Sequence, residues 1–158
     1  MAAYVGSFYD TSTQVLDGAN LEQAMRLNQV VPSATNGVIS EGVSVVADSQ
    51  ITFEHAGVYN VQFSAQITKT DSGSDDVDIW LALGGAPLDW TNTQLTVAGN
   101  NGRAVAAWNF VLRVDAGDYV ELMWSSPDAD MRIAAFDPAT GPTRPGIPSL
   151  IVTVNRVA

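Results

Sequence analysis

The sequence predicts an all-β fold made of antiparallel, half-buried strands. Three observations carry this reading. Apolar residues recur at every second position through several long runs. Glycine- and asparagine-rich turns separate those runs. No heptad, collagen repeat or low-complexity tail occurs in the 158 residues. Alternation of apolar and polar side chains marks a strand with one face on a core and the other in water. Short strands punctuated in this way build a sandwich or a barrel.

Weaker strand signals fill the first third, near 4–12, 24–31, 37–40, 43–47 and 50–53. Leu21–Leu27 also places Leu21, Ala24, Met25 and Asn28 at helical spacing. The stretch is short and runs into Val30 and Val31, so strand or irregular structure is expected there. The clearest run follows, with Tyr59, Val61, Phe63, Ala65 and Ile67 on one face and Asn60, Gln62, Ser64, Gln66 and Thr68 on the other. Val77, Ile79, Leu81 and Leu83 repeat the pattern. Ala104, Ala106, Trp108, Phe110, Leu112 and Val114 extend it opposite Arg103, Asn109 and Arg113. Val120, Leu122 and Trp124 alternate with Tyr119, Glu121 and Met123, and Leu150, Val152 and Val154 form the last run. The expected core is therefore Tyr59, Val61, Phe63, Ile79, Leu81, Trp108, Phe110, Leu112, Leu122 and Trp124. Breakers stand between the runs at Asn36-Gly37, Ala56-Gly57, Asp71–Gly73, Gly84-Gly85, Gly99–Gly102, Ala116–Asp118 and Pro127-Asp128. Pro138, Pro142, Pro145 and Pro148 make 137–148 a stiff loop before the last strand, because proline cannot donate into a ladder.

The length suits one domain, 1–158, and a chain of this size buries roughly 70% of its unfolded surface. Charged residues make up 15% of the chain, and 17 acids against 7 bases give a net charge of −10. Nucleic acid and anionic membrane surfaces would both be repelled, so neither is an expected partner. No apolar run approaches the ~18 residues of a membrane span. The start, Met1–Gly6, has no basic region or apolar core and does not read as a signal peptide. The absence of cysteine removes disulfides, thiolate metal sites and thiol nucleophiles together.

The chemistry-bearing residues are few. His55 is the single histidine and lies in a turn with no nucleophile motif, so no catalytic residue and no enzyme activity is expected. Asp71, Asp75, Asp76 and Asp78 form an acidic cluster whose oxygens are a weak candidate for calcium, although the spacing departs from an EF-hand. A solvated acidic turn is the commoner origin of such clusters. Carboxylate pairs for glycoside hydrolysis are defined by separation in space, which the sequence leaves open. No cofactor is expected. Trp80 is off the core parity, and Trp90 follows Pro87-Leu88-Asp89. Exposed tryptophan marks interfaces or sugar platforms, so Trp80, Trp90, Tyr119 and Met123 are candidates for subunit or ligand contact.

Three segments carry a resemblance. ITFEHAGVYNVQFSAQI (51–67), with Phe53, Gly57, Tyr59, Val61 and Phe63, resembles the jelly rolls of tumour-necrosis-factor-like and complement-globular-head domains. There Gly57 would let the chain turn sharply and Tyr59 and Phe63 would enter the core. WNFVLRVDAGDYVELMW (108–124) is similar to a hairpin of that superfamily. RPGIPSLIVTVNRV (144–157), with GSFYDTSTQ (6–14) and DSGSDDVDIWL (71–81), is similar to jelly-roll domains of tailed-bacteriophage structural proteins. The resemblance implies a two-sheet antiparallel jelly-roll sandwich that forms a homotrimer. It also implies a place on the virion, as a capsid decoration (cement) protein on the outer surface contacting the major capsid protein, or as the head of a tail fibre. A fibre head usually follows a long trimeric stalk; here strand signals begin at residue 4, and a free-standing decoration module is expected. Docking is expected through an N-terminal arm (Tyr4, Val5 and Phe8 within 1–8) and the proline-rich loop (Arg144 and Ile147). In the alternative, a carbohydrate-binding or receptor-binding head, Trp80, Trp90 and the Asp71–Asp78 segment would form the sugar site.

Overall fold

The computed structural model describes residues 2–30 and 39–158. The strands are β1 (Val5–Asp10), β2 (Gln14–Val15), β3 (Gln23–Ala24), β4 (Gln29–Val30), β5 (Ser40–Glu41), β6 (Val43–Val46), β7 (Gln50–Phe53), β8 (Gly57–Thr68), β9 (Ser74–Leu83), β10 (Ala86–Pro87), β11 (Thr93–Ala98), β12 (Arg103–Val114), β13 (Tyr119–Ser125), β14 (Arg132–Ile133) and β15 (Leu150–Arg156). The long strands coincide with the runs of alternation. Leu21–Leu27 is extended rather than helical, with Met25 and Leu27 in the core. The Asn36-Gly37 turn and the first half of the strand expected near 37–40 lie outside the described residues. No helix among the described residues is long and apolar enough to cross a membrane.

The strands form two antiparallel sheets. The first runs β12–β8–β15–β1, with β4 and β5 beside β1 and β14 and β2 extending one end. The second runs β6–β7–β13–β9–β11, with β3 and β10 as short additions. Among the principal strands, the chain passes between sheets at every step except the β6–β7 and β9–β11 hairpins, which is the wrapping of a jelly roll. The jelly-roll sandwich implied by the sequence is therefore the fold.

The inward faces make one core. Ile51, Phe53, Tyr59, Val61, Ile67, Val77, Ile79, Leu81, Val120, Trp124, Leu150 and Val152 are all fully shielded from water. Phe53 meets the Tyr59 ring at 4.7 Å, and the Tyr59 hydroxyl donates to the His55 carbonyl at 2.9 Å. Burial raises the Tyr59 pKa, against a smaller lowering by Arg156.

Three residues of the expected core are only half covered. Trp108, Phe110 and Leu112 face inward from β12, but β12 is an edge strand whose far side has no neighbour among the described residues. Trp108 packs edge-on against Phe63 at 4.7 Å. Alternation tells which face a side chain takes, not whether its strand ends a sheet.

Gly57 serves a different purpose from the sharp turn expected of it. It opens β8 without a left-handed backbone. A Cβ there would lie 2.5 Å from Arg156 Nε and 2.8 Å from the Ala158 carbonyl oxygen. The C-terminal residues run close alongside, and Val58 N–H donates to Ala158 O at 2.8 Å. The glycine supplies room.

Candidate functional site

The N-terminal segment is not a free arm. Residues Val5–Asp10 pair with β15 along their whole length and with β4 and β5 on the other side. Alternation sends Gly6, Phe8 and Asp10 inward, and Phe8 is only 1% exposed. Phe8 is thus a core residue and cannot dock elsewhere. Val5 is half-buried on the outer face of the sheet. Tyr4 stacks on His55 at 4.0 Å, with the Arg156 guanidinium 5.5 Å from its ring. This stacking gives the single histidine a packing role.

Asp10 fastens this strand, and no sequence pattern pointed to it. Its carboxylate is fully buried and accepts from Ser12 N–H at 2.7 Å, Ser12 O–H at 2.5 Å, Asn28 N–H at 3.1 Å, Arg26 Nε at 3.3 Å and Ser149 O–H at 3.4 Å. Its partners lie up to 139 residues away in the chain.

The proline-rich loop is ordered as a folded-back strap, with Phe136 paired to Ile147 and Ala139 to Arg144. Arg144 and Ile147 are exposed at its surface.

The acidic cluster does not gather as one loop. β9 begins at Ser74, so its carboxylates divide between two faces. Asp76 accepts from Thr96 O–H at 2.6 Å, and Asp78 accepts from the Asn92 and Gln94 amides at 3.2 and 3.3 Å. Asp71 and Asp75 converge instead with Asp128. The cation among them belongs to the chain. Lys69, 1% exposed, places its ammonium 2.5 Å from Asp75, 3.3 Å from Asp71 and 3.0 Å from both the Ser72 and Gly73 carbonyl oxygens. The seat considered for calcium is filled by lysine. The hydrogen bond to Asp75, then that to Asp71, raises the Lys69 pKa against the opposing effect of burial. The Lys69 bond holds Asp75 below its usual range. At Asp128 the Asp130 N–H lowers the pKa, but burial and the neighbouring Asp75 and Asp71 outweigh it, and the net shift is upward.

Two surfaces remain as sites. The first is the outer face of the β1–β15–β8–β12 sheet. Its cross-strand rows read Tyr9–Ile151–Ser64–Ala107, Ser7–Thr153–Gln62–Asn109 and Val5–Asn155–Asn60–Val111. None of these side chains is charged, in a protein of net charge −10. Asn109 donates to Asn60 at 2.7 Å and Asn60 to Asn155 at 3.3 Å, making an amide ladder across three strands. Val105 and Val111 are 58% and 64% exposed on this face of β12.

The second is a cleft of about 460 Å3 on the opposite sheet. It brings Trp80 and Trp90 together, with Asp78, Asn92, Leu88 and Ser125 among its lining. Gly84 and Gly85, both at positive φ, make the two-residue turn that returns β10 along β9. The chain then leaves the ladder at 88–92, and Thr91 fills the gap. Its hydroxyl accepts from Leu81 N–H at 3.0 Å and donates to Leu88 O at 2.8 Å. Trp90 stands on this pinned loop at φ 66°, wholly exposed. A non-glycine residue in that region costs roughly 1–2 kcal/mol. Met123 is the cross-strand neighbour of Trp80, whereas Tyr119 pairs with Thr52 at the other end of β13 and stays apart from the cleft. No family model matches the chain, and no curated protein matches it significantly in sequence.

Proposed function

We propose that the chain is a structural protein of a tailed-bacteriophage virion: a homotrimeric decoration protein that sits on the outer surface of the capsid and bridges capsomers. One observation supports it most. An acidic protein keeps three rows of a four-stranded sheet face free of charge, beside a 12-residue edge strand whose Trp108, Phe110 and Leu112 are half covered. A long edge with exposed apolar side chains invites pairing or packing by another chain. In the proposed trimer the β12 edge of one copy lies on the uncharged rows of the next. Arg103 and Arg113, at the margins of those rows, offset the acidity of the adjoining copy.

Docking on the major capsid protein then falls to the exposed strap with Arg144 and Ile147. A stable contact of standard size covers about 800 Å2 per partner. Three linked contacts hold far more tightly than one, because the second and third are intramolecular events. This is how a decoration trimer would tie capsomers together.

The test has two parts. Native mass spectrometry of the purified chain should show trimers, and Val111→Lys, which puts an ammonium into an uncharged row, should give monomers that remain folded. Capsids assembled without decoration, incubated with the trimer and imaged, should carry threefold density where capsomers meet. A monomeric wild type refutes the trimer. A trimer that leaves capsids bare refutes decoration.

A further inference from the structure

We infer that the cleft between Trp80 and the 88–92 loop is a carbohydrate site, taking an uncharged pyranose with one apolar ring face against an indole. It lies on the sheet opposite the uncharged rows and does not depend on the decoration reading.

Trp90 is the starting point. Core packing does not explain it, because the side chain is wholly in solvent. Turn chemistry does not explain it either. Its φ of 66° suits glycine or asparagine, and a bulky residue there points to a role. The indole does not hang from a slack loop. Thr91 ties the loop to Leu81 and Leu88, and Leu88 N–H donates to Leu81 O at 2.8 Å. The ring is presented by a fixed support, as a binding platform requires.

The rest of the cleft supplies what a sugar needs. Trp80 offers a second aromatic surface from β9, half-buried beside Met123. Asp78 is oriented by the amides of Asn92 and Gln94 and keeps acceptor capacity for hydroxyls. Ser125, its cross-strand neighbour, adds a hydroxyl. A pyranose has a C–H face for an indole and a rim of hydroxyls that donate to a carboxylate and accept from an amide. The volume of about 460 Å3 falls in the usual range of ligand sites, roughly 300–1,000 Å3. Asp78 and Asp89 are the only charged residues of the lining, so phosphate- and carboxylate-bearing ligands are repelled. A quaternary ammonium would also suit aromatic rings near acids. The amides already engaging Asp78 favour the neutral sugar.

The experiment uses the full chain labelled with 15N. Its four tryptophans give four indole N–H signals. Methyl glycosides of glucose, galactose, mannose and N-acetylglucosamine, and trisaccharides built from them, are titrated into the high-millimolar range, with choline in parallel. Stacking is tolerant of hydroxyl configuration, so at such concentrations at least one sugar must register. The Trp80 and Trp90 signals should move saturably, while those of buried Trp124 and of Trp108 on the other sheet stay still. Trp90→Ala should weaken binding about tenfold or more at an unchanged melting temperature, since the ring contacts solvent alone. The inference is overturned if no sugar moves the two signals, if Trp90→Ala binds as the wild type does, or if choline binds and the sugars do not. Each of these results leaves the oligomer and capsid measurements independent.

Discussion

Replacing Asp10 with alanine should cost about 2–4 kcal/mol of stability. Two backbone N–H groups, those of Ser12 and Asn28, would lose their acceptor. The Ser12 and Ser149 hydroxyls and the Arg26 guanidinium would lose one as well. A polar group left unsatisfied in the interior costs about 1–3 kcal/mol, more when charge is involved. Arg26 is 44% exposed in its side chain, so water can replace part of what it loses. Ser149 O–H also reaches the Asp10 carbonyl oxygen at 3.3 Å, which the substitution keeps. These two facts hold the sum toward the lower part of the range. For a domain of this size 1 kcal/mol moves the melting temperature by about 2–4 °C, giving a fall of about 4–16 °C. Guanidinium unfolding followed by tryptophan fluorescence gives the free energy from the midpoint at constant slope. Asp17→Ala, at an exposed carboxylate, should stay within about 0.5 kcal/mol of wild type. If Asp10→Ala costs no more than Asp17→Ala, the account of β1 as a fastened strand is wrong.

Phe8→Ala should cost about 3–5 kcal/mol as a cavity in the core, read from the same unfolding curves; a docking arm would lose nothing. Lys69→Met should lower the melting temperature at neutral pH, because Asp71, Asp75 and Asp128 would face one another without a cation, and added calcium should raise the melting temperature of this variant and not of the wild type. In the wild type the depressed Asp75 pKa gives stability that is present above its ordinary 3.8 and is lost as pH falls through the lower folded value. The raised Lys69 pKa gives stability that is present below its ordinary 10.5 and is lost as pH climbs through the higher folded value, so a melting-temperature profile should fall at both ends. Asp128 has the opposite sign to Asp75: its raised pKa makes ionisation cost stability as pH rises above 3.8, so Asp128→Asn should remove that slope and be at least as stable as wild type at pH 7.

The long strands were readable because period two is a property of the backbone, and Tyr59 to Ile67 or Val120 to Trp124 display it without interruption. What was not readable came from partners distant in the chain. Asp10 breaks the apolar parity of its strand, and the donors that permit this come from Arg26, Asn28 and Ser149. Lys69 looks like a surface residue at a strand end until the 70–75 turn folds back and places two carbonyls and two carboxylates around it. The same turn explains why four aspartates close in sequence did not share a site. The pairing of Trp80 with Trp90 was half legible. Gly84-Gly85 announces the hairpin that returns the chain beside β9. Thr91, which holds the loop that carries Trp90 to the same cleft as Trp80, looks like any polar turn residue.

Charge placement joins the proposed roles to the fold. Copies of a protein with net charge −10 repel one another, and the repulsion is weakest where no carboxylate faces the neighbour. Period two provides such a surface cheaply: in those rows the outward positions of β8 and β15 carry amides, hydroxyls and Ile151, and those of β12 carry Ala107, Asn109 and Val111, while the inward positions of the same strands face the core. Most of the acids lie instead on the opposite sheet and its turns, where Lys69 neutralises one group and Asp78 borders the tryptophan cleft; Glu41, beside Val5, is at the margin of the first sheet. One sheet is thereby suited to its own kind and the other to a ligand from solution. Added salt should accordingly strengthen self-association, by screening the acidic surfaces, and leave the binding of a neutral sugar unchanged. Association that weakens with salt would mean that ion pairs, not the uncharged rows, hold the copies together.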